Sequence, residues 1–143
     1  MRYLAIDFGF KRLGLAICDP SEIIVSPLCQ LPNDKNRSEL VFQKIASLIA
    51  ENQVEAVVVG LPLNMDDSEG PQAKASRKFA ENLGNKINLP IFLQDERLSS
   101  QAADEKLHET GLTRQKRKDR RDMLAACDIL QDFLDRKKSE PQP

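Results

Sequence analysis

The stretch Tyr3-Leu4-Ala5-Ile6-Asp7-Phe8-Gly9-Phe10-Lys11-Arg12-Leu13-Gly14-Leu15-Ala16-Ile17-Cys18 decides the fold class. It holds two β-rich runs, Tyr3 to Phe8 and Leu13 to Cys18, joined by Gly9-Phe10-Lys11-Arg12, and that pattern reads as an antiparallel hairpin. After the turn Asp19-Pro20-Ser21, the run Ile23-Ile24-Val25 predicts a third strand and completes a meander.

Outward from the meander the periodicity changes. Leu40, Val41, Ile45, Leu48 and Ile49 recur at helical spacing and predict a helix from about Arg37 to Asn52. Ala56-Val57-Val58-Val59 is a continuous β-branched run, as expected of a strand covered on both faces. A polar loop from Asn64 to Gly70 leads to Pro71 as the first residue of another helix, with Gly84 as its stop. Ile91-Phe92-Leu93 reads as the last strand, and Ser99 or Ser100 caps a helix to about Glu109. The final helix is expected from roughly Asp119 to Lys137. The fold class is therefore α/β: a mixed five-stranded sheet, three strands in an antiparallel meander and two parallel, flanked by helices. One domain is expected over 1–138, with 139–143 a frayed tail.

Composition excludes several classes. With 41% hydrophobic and 30% charged residues the chain is neither disordered nor membrane-spanning. No apolar run approaches the roughly 20 residues of a transmembrane helix, and the N-terminus enters a strand without a secretory leader, so a cytoplasmic location is expected. Cys18, Cys29 and Cys127 are too scattered for a disulfide framework or a zinc site and read as buried small hydrophobes. The net charge of -1 does not announce a nucleic-acid binder, so the distribution of charge must.

Three acidic positions sit where acids are disfavoured. Asp7 ends an apolar run before Phe8-Gly9, where it serves either as a turn former or as a solvated or cation-bound carboxylate. Asp95 and Glu96 follow the last strand, at an edge where open α/β sheets bind ligands. Neighbouring side chains on an extended chain point oppositely, so only one of the pair faces a given site. Asp122 shares a helix face with Ala125, Ala126, Ile129 and Phe133, and the small alanines allow close approach to the sheet. Asp119, one turn earlier, could replace it, whereas Asp128, Asp132 and Asp135 read as solvent-facing. Clustered carboxylates suit hard divalent cations such as Mg²⁺, and two such ions support phosphodiester hydrolysis.

The segment Asp7 to Ala16 resembles the N-terminal signature of the YqgF family, Holliday junction resolvases also described as pre-16S ribosomal RNA nucleases. Gly60-Leu61-Pro62 with Gly70, then Asp95-Glu96-Arg97-Leu98-Ser99, then Asp122-x-x-Ala125-Ala126 with Ile129-Leu130-Gln131, are similar to its later motifs in order. The resemblance runs from about Met1 to Leu134. It implies a ribonuclease H-like fold and an endonuclease using Mg²⁺ or Mn²⁺, as two ions. Asp7, Glu96 and Asp122 become the catalytic and metal-binding acids, with Asp95 the alternative to Glu96. The chain departs from the pattern at Ser100, where threonine is common, and at Phe10, where a small or polar residue is usual.

The run Arg114-Gln115-Lys116-Arg117-Lys118-Asp119-Arg120-Arg121, read as a basic loop before the last helix, would flank such a site. Arg114, Lys116, Arg117, Lys118, Arg120 and Arg121 are thus expected to contact phosphates, together with Lys11, Arg12 and Arg97. Arg97 suits a structural salt bridge equally well, and His108, the only histidine, reads as a surface or packing residue. With no Trp and one Tyr, base stacking is not expected to dominate recognition. The leading expectation is 5′-end processing of pre-16S ribosomal RNA, by a monomer or weak homodimer with possible ribosome-assembly partners. A resolvase acting on branched DNA and a non-catalytic RNA-binding factor in ribosome maturation or transcription are the alternatives.

Overall fold

A computed structural model describes residues 1–96 and 114–139, and side chains within 1–96 and 124–139. The strands are β1 (Tyr3–Phe8), β2 (Arg12–Cys18), β3 (Val25–Pro32), β4 (Ala56–Pro62) and β5 (Ile91–Glu96). The helices are α1 (Ser38–Glu51), α2 (Pro71–Lys86) and α3 (Arg114–Ser139), and a 3₁₀ turn at Lys35–Arg37 precedes α1. One sheet forms in the order β3-β2-β1-β4-β5. β1 pairs antiparallel with β2, β2 likewise with β3, and the β1–β4 and β4–β5 pairs are parallel. This is the expected mixed sheet.

The pleat divides the apolar residues between two cores. Leu4, Ile6 and Phe8 of β1 join Leu13, Leu15, Val57 and Val59 beneath Val41 and Ile45 of α1 and Phe79 and Leu83 of α2. Tyr3 and Ala5 face the other way, with Ala16, Ala56 and Val58, and are covered by Ala126, Ile129, Leu130 and Leu134 of α3. The small side chains on this second face bring α3 close to the sheet. At Gly60 the approach excludes a side chain, because a Cβ there would lie 2.5 Å from Cδ1 of Ile129.

The structure corrects four local expectations. The third strand is Val25–Pro32, while Ile23 and Ile24 lie outside it and are exposed. Asp19 draws them into a loop by accepting hydrogen bonds from the backbone N–H groups of Ser21, Ile23 and Ile24, and this local bonding outweighs β-branched propensity. Pro27 is compatible with β3 because the strand is at the sheet edge. Helix α2 passes Gly84 to Lys86, where the Ile87 N–H caps Leu83. Helix α3 starts at Arg114, because the run expected to be a loop is made of strong helix formers. Only Cys18 is fully buried; Cys29 lies on the edge strand and Cys127 on a flank of α3, both half-buried. The helix expected after Ser99, with Arg97 and His108, lies outside the described residues. Among the described residues no helix is long and apolar enough to cross a membrane.

Candidate active site

Alternation along β1 places Asp7 on the same face as Tyr3 and Ala5, the face covered by α3. Ile6 pairs with Val59, so Gly60 is the next β4 residue beside Asp7. Gly60 pairs in turn with Gln94, and Pro62 with Glu96. Asp7 and Glu96 thus stand at the carboxyl ends of two strands that flank β4, and the intervening glycine puts no side chain between them. The adjacent acids separate as the pleat requires: Glu96 is 6% exposed, whereas Asp95 is exposed and belongs to the opposite face. Glu96 thus shares the α3 side of the sheet with Asp7, and Asp95 does not.

Glu96 is an unusual buried carboxyl. Its Oε1 has no hydrogen-bond partner. Its pKa is pushed up to about 9, first by burial, then by a hydrogen bond with Asp132 and by the charges of Asp132, Asp128 and Asp7. Burial disfavours the ionised form, and like charges disfavour it further. Asp128 and Asp132 are four residues apart on α3, beside Ile129 where it covers Gly60. They were expected to face solvent, yet Asp132 hydrogen-bonds with Glu96 and the charges of both bear on it. Asp132 does so while still exposed and Asp128 is half-buried, whereas Asp135 is exposed and accepts a hydrogen bond from Gln131. The missed clue is the spacing: two acids one turn apart beside a fully apolar seam.

Asp122 lies on α3 one turn ahead of the buried Ala125 and Ala126. Its side chain, like those of Arg114, Lys116, Arg117, Lys118, Arg120 and Arg121, is outside the described residues. Among the described residues no three acidic, histidine or cysteine side chains form a complete ion cage. The donor chemistry nevertheless fits a hard divalent cation such as Mg²⁺ or Mn²⁺. A buried carboxyl with one unpartnered oxygen, surrounded by acids, is stabilised by a cation that accepts oxygen ligands and keeps its own waters.

The turn after Asp7 carries the first basic candidates. The Gly9 N–H donates to the Arg12 carbonyl at 2.9 Å, and a Cβ on Gly9 would meet that oxygen at 2.6 Å. Asn33 braces the turn from β3's end, donating from its side chain to the Gly9 carbonyl and from its backbone to the Lys11 carbonyl. Lys11 is exposed there and Arg12 half-buried.

The family model described as RuvX, Holliday junction resolvase, matches residues 1–136. A Listeria monocytogenes protein named "Putative pre-16S rRNA nuclease" is 42% identical over 135 residues, covering 94% of this chain and 98% of its own. A Geobacillus protein of the same name is 39% identical over 137 residues, covering 96% and 99%. Among solved structures, Thermus thermophilus RuvC in complex with Holliday junction substrate aligns with a TM-score of 0.58 at 14% identity, over 97% of both chains. The fowlpox virus Holliday junction resolvase aligns at 0.56 and 12% identity, over 96% of this chain and 99% of its own. These likenesses establish the fold as ribonuclease H-like.

Proposed function

The chain belongs to the RuvX Holliday junction resolvase family, and from that premise we propose that it is a metal-dependent endonuclease that processes the 5′ end of pre-16S ribosomal RNA. The observation that carries the reading is Glu96: a buried carboxyl with an unpartnered oxygen, across Gly60 of β4 from Asp7, the two acids at the carboxyl ends of the strands that flank β4.

Asp7 and Glu96 would hold the cation, Mg²⁺ or Mn²⁺, with Asp122 approaching from α3 as the third acid. When bound as a pair, such ions activate water and stabilise the leaving oxygen of a phosphodiester. The chain's own residues prepare that chemistry. Glu96 would yield its proton on binding such a cation, which would couple ion binding to proton release. Gly60, having no side chain, lets Ile129 of α3 pack against β4 beside the Glu96 side chain. Lys11 and Arg12 at the hairpin turn, Arg97 after β5, and Arg114, Lys116, Arg117, Lys118, Arg120 and Arg121 on α3 would bind phosphates on either side of the site. We assign this work to a single domain over 1–138, acting in the cytoplasm as a monomer or weak homodimer, with ribosome-assembly proteins as possible partners.

The second reading is junction resolution, which the family description favours. The test compares wild type and Asp7→Asn, with Mn²⁺ or EDTA, on a 5′-extended 16S precursor and a four-way DNA junction. Metal-dependent cutting of the precursor, lost in the variant, is the expected result. Preferential cutting of the junction transfers the assignment to resolution, and tight binding without cutting of either transfers it to a non-catalytic factor.

A further inference from the structure

We infer that the aromatic pocket beside the first hairpin receives an unpaired base of the nucleic acid being cut, an inference that rests on the proposed nuclease reading. The pocket has a volume of about 460 Å³ and lies on the α1/α2 side of the sheet, around Phe8, Phe10, Phe42 and Phe79. Its floor is a packed set of rings: Phe8 lies 5.2 Å from Phe79, and Phe42 stacks on Phe79 at 5.7 Å and 21°. Phe10 stands at the mouth, 45% exposed and edge-on to Phe8 at 5.8 Å.

Charge selects the occupant. Among the described residues no acid lines the pocket, and Lys35 and Lys78 are both exposed at its rim. Neither lysine is ion-paired among the described residues. The Lys35 ammonium sits 5.4 Å from the Phe10 ring centroid. An exposed cation–π contact is weaker than base–aromatic stacking, so a base can displace it and release the ammonium to a flanking phosphate. Uncharged rings between cations are the arrangement by which proteins hold single strands with little sequence preference.

Position links the pocket to the cutting site. Phe10 follows Asp7 by three residues, so their backbones are at most about 10 Å apart. Asp7 and Phe8 occupy opposite faces of β1 at its carboxyl end. A strand cut at the Asp7 side would therefore cross the sheet edge past Lys11 and place a base, one or two nucleotides from the break, against Phe10. A fully paired duplex offers no such base, so the pocket selects substrates with an unpaired segment beside the cleavage point.

The experiment uses the full chain in EDTA, where cutting is blocked, with an RNA hairpin bearing a single-stranded 5′ extension that carries 2-aminopurine. Affinity is compared with that for the same hairpin made blunt. Wild type should bind the extended RNA about tenfold more tightly and quench the 2-aminopurine. Phe10→Ala should lose the preference and the quench while binding blunt RNA unchanged, and Phe10→Trp should keep both. Because Phe10 is exposed at the mouth, unchanged circular dichroism is expected for each variant. Equal affinity of wild type for both RNAs, or a Phe10→Ala protein that retains the preference, overturns the inference. The two readings fail separately. Mn²⁺-dependent cutting without any preference for the extension removes the pocket alone, whereas preference and quench without cutting in any metal remove the nuclease reading and leave the pocket as a binding site.

Discussion

A carboxyl withdrawn from water among other acids stays protonated until a cation replaces its proton, and Glu96 is held in that condition. Its folded pKa of about 9 lies above the ordinary 4.5, so it stabilises the metal-free fold fully below 4.5 and loses that contribution as pH rises towards 9. Glu96→Gln, which mimics the protonated acid, should therefore abolish cleavage yet raise metal-free stability at pH 7, on the order of 1–3 kcal/mol. Denaturant melts in EDTA between pH 5 and 9 check this; a wild-type profile as flat as the variant's would place Glu96 in a wetter setting. Asp95→Asn, on the opposite face, should cut like wild type, and a dead enzyme would reverse the choice between the two acids. Gly60 makes a packing prediction of its own. Gly60→Ala should cost about 1–3 kcal/mol by overpacking against Ile129. Adding Ile129→Val removes the Cδ1 that the new methyl would meet, so the double variant should recover part of the loss in thermal melts. Simple additivity would mean that the two positions do not touch.

At the scale of elements, α3 joins two tasks. Its apolar seam of Ala126, Ile129, Leu130 and Leu134 covers one face of the sheet, and its first turns carry the basic run. At the other end the Lys137 ammonium donates to Glu22 at 2.6 Å and to the Tyr3 hydroxyl at 2.8 Å, tying the helix to the β2–β3 loop and to β1. The pair is partly exposed, so it serves more to orient the helix than to stabilise the fold. Replacing Lys116, Arg117 and Lys118 by glutamine should leave that packing intact and weaken RNA binding. The slope of log affinity against log salt should fall by about 2 if all three contact phosphates. An unchanged slope measured by filter binding would remove this stretch from the interface. The helical nature of the run could have been read from its composition, since Arg, Gln and Lys are strong helix formers. The displaced third strand could not, because it depends on Asp19 capturing the N–H groups that follow it.

For the whole molecule, cation binding should appear as stability. An ion that binds only the folded chain at 100 times its Kd adds about 2.7 kcal/mol. Mn²⁺ should therefore raise the melting temperature of wild type, and the increment should vanish in Asp7→Asn; an equal rise in both would locate the ion elsewhere. Much of the architecture behind this prediction was legible in the linear chain. Apolar runs and periods, together with turn and cap residues, marked the hairpin, the buried β4, the two helices after the meander and β5, because these are properties of local backbone geometry. Asp7 and the Asp95-Glu96 pair also stood out as acids at the ends of apolar runs, while the preference for Glu96 came with the family resemblance. The convergence of four of the six phenylalanines on one pocket was not legible, because they lie on different elements. The approach of Asp128 and Asp132 to Glu96 and the fit of Ile129 into the space left by Gly60 were likewise decided by tertiary packing. Sequence determined which residues each element could present to a face. Only the packed sheet determined which faces meet, because meeting depends on the angle and distance at which α3 crosses strands more than a hundred residues away along the chain.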